Sequence, residues 1–87
     1  MKHAGSDALN LLEPLLVKIR RHPQLKERKR GLFYQKGKSF LHFHEDPAGL
    51  FADLSDGAES WRLRVSEPAE QKALLAKIKQ VLDYEQE

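Results

Sequence analysis

The segment Leu41-His42-Phe43-His44-Glu45-Asp46 places two imidazoles two residues apart and follows them with two carboxylates. On an extended strand, alternate side chains project from the same face, so His42 and His44 could address one ligand or one ion together. Neutral imidazole is a ligand for zinc and copper, and a histidine beside an aspartate can also move a proton. Three roles are therefore open to the segment: metal binding, acid–base catalysis, or polar contact on a sheet surface. A metal needs a third ligand. Asp46 or Asp53 could serve, but Arg62 and Arg64 are expected nearby and would repel a cation. Catalysis needs further parts, and the chain carries no Gly-x-Ser-x-Gly elbow, no Gly-rich phosphate loop and no cysteine. No catalytic residue is assigned and no cofactor is expected. The histidines are expected to be dispensable for folding and to hold no structural metal.

The elements that position these residues follow from periodicity. Leu9, Leu12, Leu15, Leu16 and Ile19 recur at helical spacing, with Ser6 or Asp7 able to cap. Pro14 favours a helix from near Glu13 to Arg21, or a longer one kinked there, and His22-Pro23 stops it. Residues 1–7 read as a flexible tail. Two aromatic and apolar runs around Lys36-Gly37-Lys38 predict a hairpin, with strands near Arg30–Gln35 and Ser39–His44. Turns at Glu45–Gly49 and Ser55–Ala58 separate strands near Leu50–Leu54 and Trp61–Val65. Ser66 is expected to cap a last helix, Glu67–Tyr84, with Leu74, Leu75, Ile78, Val81 and Leu82 as its apolar stripe.

This order predicts an α+β fold: a four-stranded antiparallel sheet with an N-terminal and a C-terminal helix packed on one face, α-β-β-β-β-α. Alternation then assigns the two faces. Leu41, Phe43, Leu50, Ala52, Leu54, Trp61, Leu63 and Val65 point to the core; Phe40, His42, His44, Phe51, Asp53, Arg62 and Arg64 point outward. Phe33 could take either side. Trp61 is expected to be the largest buried side chain, costing about 3–5 kcal/mol if cut to alanine.

With 87 residues the chain forms one domain, too short for a second core. Hydrophobic residues at 40% and charged residues at 32% exclude a disordered chain, and no apolar run could span a bilayer. The first ten residues show no secretory pattern, which points to the cytoplasm. The net charge of +2 conceals a strong asymmetry: Lys18 to Lys38 holds nine Lys or Arg against Glu27 alone, while ten carboxylates face five basic residues from Glu45 onward. Lys26, Arg28, Lys29 and Arg30 form the densest basic block.

The stretch GKSFLHFHEDPAGLFADL, the strand WRLRV and the helix ending KIKQVLDY resemble the small bacterial luciferase-type domain of unknown function. In that family a His-x-His segment precedes a strand ending in Asp, and a later Trp-containing strand leads to a C-terminal helix. The layout is also similar to MmcQ/YjbR-like domains, in which a Gly-Lys-x-Phe hairpin precedes a comparable Trp strand. The resemblance covers about Pro23 to Tyr84 and implies a small α+β domain, with no catalytic residue to carry over. Only a few residues separate Leu54 from Trp61, where longer insertions are usual.

Two functions from different classes fit the outward residues. The first is a non-catalytic protein-interaction or dimerisation module using the open sheet face, since exposed aromatics beside arginines suit a homodimer or a protein partner. The alternative is binding of single-stranded nucleic acid or another polyanion. Phe40 and Phe51 would stack bases, while Arg62, Arg64 and the Lys26–Arg30 block would neutralise phosphates.

Overall fold

In the computed structural model, which describes residues 1–85, the elements follow one another as β1 (Lys2–His3), α1 (Ser6–Ile19), β2 (Lys26–Lys29), β3 (Leu32–Gln35), β4 (Lys38–Asp46), β5 (Gly49–Ser55), β6 (Ser60–Arg64) and α2 (Pro68–Glu85). The strands form one antiparallel sheet in the order β2-β3-β4-β5-β6, with β1 joined to β4. β4 is the spine. Its first half pairs with β3 through Phe33↔Leu41 and Gln35↔Lys38, and its second half pairs with β1 through His3↔His44. The α+β class holds, but the sheet has six strands instead of four. The added β2 reads Lys-Glu-Arg-Lys, with no apolar side chain to mark it; its place comes from the ladder Lys26↔Tyr34 and Glu27↔Phe33. No helix among the described residues is long and apolar enough to cross a membrane.

α1 begins at Ser6, well before Glu13, and carries Pro14 in its interior. A proline there lacks the N–H that would reach the carbonyl of Asn10. Arg30 reaches the same stretch of the helix, donating to Asn10 Oδ1 at 2.8 Å and to the Leu9 carbonyl at 3.3 Å. The N-cap is Gly5, not Ser6 or Asp7, and it makes no side-chain cap bond. Close approach of α1 to the sheet also explains Gly31. Its φ is +82°, and a Cβ there would stand 2.7 Å from Leu9 Cδ2.

α2 starts at Pro68, and its first turn is closed by Glu70, which accepts from the Glu67 N–H at 2.9 Å. Ser66 has a different task from the expected cap: its hydroxyl accepts the Leu50 N–H at 2.8 Å, tying the entry of α2 to β5.

The core lies between the helices and one face of the sheet. Leu12, Leu15, Leu16 and Ile19 from α1 meet Leu74, Ile78, Val81 and Leu82 from α2 over Leu41, Phe43, Ala52 and Leu54. Phe33 faces inward, 1% exposed. Phe40, expected on the open face, is also in the core at 2% exposure. The register shifts between Phe33↔Leu41 and Tyr34↔Ser39, leaving Phe40 as the unpaired extra residue of β4. Such a bulge breaks strict alternation, so Phe40 and its neighbour Leu41 can both be buried. Trp61 departs from expectation in the other direction. It lies half-buried on edge strand β6, with Lys77 Nζ 4.3 Å from the ring centroid, and the largest fully buried side chains are Phe33 and Phe40. The large truncation cost expected at Trp61 therefore belongs to those two phenylalanines.

Candidate functional site

Strand register builds two parallel rows on the face the helices leave open. His3, His44, Phe51 and Arg64 are successive partners across β1, β4, β5 and β6, and His42, Asp53 and Arg62 form the next row. The three imidazoles meet at one corner. The His3 and His44 rings stack with centroids 4.7 Å apart, and His42 meets His44 edge-on at 4.8 Å. One ring nitrogen from each of the three lies within 4.8 Å of the others.

β1 brings the third ring to this corner. Its short ladder is extended by the Ala4 N–H to the Phe43 carbonyl at 3.1 Å, and the Gly5 N–H donates to Glu45 Oε2 at 2.7 Å. His3 is therefore fixed by backbone pairing just before α1 turns away to the other face. Asp53 closes the opposite side. Its Oδ2 lies 3.0 Å from His44 Nε2, and Arg62 grips both of its oxygens at 2.7 and 2.9 Å.

The electrostatics follow from these neighbours. The Arg62 hydrogen bonds hold the Asp53 carboxyl below its ordinary value, against an opposing effect of burial and with help from the Arg62 charge and both nearby histidines. Burial pushes the His42 imidazole down, and His44, His3 and Arg62 push the same way against the pull of Asp53. The His42 imidazole is thus held in its neutral form more strongly than an ordinary histidine. His44 Nε2 lies 2.9 Å from His42 Nδ1 as well as 3.0 Å from Asp53, while its own Nδ1 is buried without a hydrogen-bond partner among the described residues.

Of the residues singled out from sequence, His42, His44, Phe51, Asp53, Arg62 and Arg64 share the open face, and Phe40 does not. Arg64 is committed elsewhere, donating to the Ala48 carbonyl and to Glu70 at 3.1 Å. The basic block lies apart. β2 and β6 are opposite edges of the sheet, so Lys26, Arg28 and Lys29 do not adjoin Arg62 or Arg64. Arg30 is bound to Glu13 and Asn10, and Arg28 stacks over Tyr34 at 4.8 Å. His3 is the site residue that sequence reasoning passed over. A two-residue strand has no period to detect, and its only signal was a further histidine in a chain with four.

No family model, curated protein or solved structure matches the chain.

Proposed function

We propose that this domain is a non-catalytic protein-interaction module whose working surface is the open face of the sheet. Phe51 carries the proposal. It is half-buried between His44 and Arg64, in the middle of an uncovered face, and the charges around it are already paired within the chain. An apolar centre flanked by arginines already paired within the chain suits recognition of another protein surface, where a few buried aromatic contacts supply most of the binding energy. A polyanion would need free cations beside the aromatic ring. Arg62 is occupied by Asp53, Arg64 by Glu70, and the basic block sits on the far edge, so the nucleic-acid alternative is less favoured. Kinship with the luciferase-type domain is proposed on the same neighbourhood, through His42, His44, Asp53 and the Trp61 strand.

A second copy of the chain is the first partner to test. Sedimentation velocity over a hundredfold concentration range is expected to show self-association in the wild type and a monomer in Phe51→Ser, with the same circular dichroism for both. A wild type that stays monomeric and binds a single-stranded oligonucleotide in a salt-dependent way would replace this proposal with the polyanion one.

A further inference from the structure

We infer that His3, His42 and His44 form a binding site for one divalent late first-row transition ion, with zinc as the representative. This goes beyond the interaction proposal and does not depend on it. Three imidazoles from two strands converge, with one nitrogen of each within 4.8 Å of the others. In a tetrahedral zinc site with Zn–N bonds of about 2.0–2.1 Å, neighbouring ligand atoms stand about 3.3 Å apart. His42 Nδ1 and His44 Nε2 are 2.9 Å apart, already close to that spacing. His3 is exposed, so its ring can rotate to complete the set at little cost.

The hydrogen bonding within the cluster points the same way. His44 Nε2 faces two groups, His42 Nδ1 and Asp53 Oδ2, and a single N–H can serve only one of them well. His44 Nδ1 meanwhile is buried with no partner among the described residues. The cluster therefore leaves part of its ring-nitrogen hydrogen-bonding capacity unmet among the described residues. With His44 Nε2 as the ligand atom, its contact with Asp53 Oδ2 is exchanged for the ion, and the carboxylate stands beside the site as a nearby negative charge.

The objection from nearby arginines is met by their pairing. Arg62 spends its charge on both oxygens of Asp53, and Arg64 is turned to Glu70 and the Ala48 carbonyl. An all-imidazole set selects zinc, copper or nickel over magnesium and calcium, which prefer oxygen ligands. Three protein ligands leave a fourth position open to water or to a ligand from outside.

The test is a zinc titration of tag-free protein by calorimetry and native mass spectrometry, with magnesium as the control ion. One zinc per chain and no magnesium is expected. His3→Ala and His42→Gln should each weaken zinc binding at least tenfold, while His22→Ala should bind as the wild type does. Because His3 is exposed on a two-residue strand, its variant stays folded, which circular dichroism checks. Absence of stoichiometric zinc in the wild type, or full retention of zinc by both cluster variants, would overturn the inference. An equal loss in His22→Ala would do so as well, by exposing non-specific binding.

Discussion

Two charged assemblies lie at different places on this sheet, and they differ in how completely they satisfy themselves. The first joins α1 to the β2–β3 hairpin. Arg20 bonds Glu27 and Glu13 at 2.6 Å each, Arg30 bonds Glu13 at 2.9 Å, and the Gly31 N–H completes Glu27 at 2.9 Å. Every carboxylate oxygen in it has a donor. The second is the imidazole corner, where one nitrogen of His44 has no partner among the described residues and the other is shared between two claimants. Partial burial and charge are common to both. Completeness separates them: a closed network fastens two elements together, whereas an open one keeps binding capacity in reserve.

The largest effect should come from breaking the closed network. Glu27→Ala strips both Arg20 bonds and the acceptor of Gly31, and is expected to cost about 1–3 kcal/mol in chemical denaturation. A loss near zero would mean that the network follows the fold without supporting it.

Acid should act through the same residues. Burial pushes the Glu27 carboxyl up, but the Arg20 bond and charge and the Gly31 N–H outweigh it, and the net value lies below the ordinary 4.5. A depressed carboxyl contributes stability that is complete above its unfolded value and is lost as pH falls through its folded one. Thermal melts should therefore hold steady down to about pH 4.5 and decline below it, and Glu27→Ala should show a shallower decline. Equal declines in the two proteins would place the acid sensitivity elsewhere, for instance at Asp53, which is depressed by Arg62.

In the open network the expected effect on stability is small. His44→Phe removes an unpartnered buried nitrogen and keeps a ring on Phe51 and His3, so stability should stay within about 1 kcal/mol of the wild type or rise. A larger loss would show the corner to be as closed as its counterpart. Smallest of all is Arg62→Gln, whose exposed side chain should leave the melting temperature nearly unchanged. Its effect should appear as tighter zinc binding, because a positive charge beside the ligands is gone. Weaker binding would instead show that Arg62 is needed to hold Asp53 beside the site.

Much of the open network was legible in the sequence, because β4, β5 and the inner part of β6 obey alternation. Leu41 and Phe43 go in while His42 and His44 go out, and the same rule puts Asp53 and Arg62 beside them. Legibility ended where alternation ended. Phe40 escaped because a one-residue register shift obeys no period, and Trp61 because a residue of the right phase on an edge strand still meets solvent. His3 and the β2 residues were hidden for another reason. Their strands are defined by partners distant in sequence rather than by apolar side chains of their own, so only the assembled ladder reveals them. Pro14 was weighed as a breaker because the packing that carries α1 through it, Leu12, Leu15, Leu16 and Ile19 against the rest of the core, is assembled only in the fold.

The shared use of β4 has a consequence for motion. β3 and β1 lie end to end along one edge of this strand, but β1 contributes only Lys2 and His3 to the ladder. Segments held by so few backbone bonds exchange with solvent through local opening, without disturbing the rest of the sheet. One of the three imidazoles thus rides on this short leaf of the sheet, while the other two stand on the spine. Ion capture would then work as a latch: amide protons of residues 2–4 and of their partners on β4 should exchange more slowly once zinc is bound, and those of the β5–β6 ladder should keep their pace.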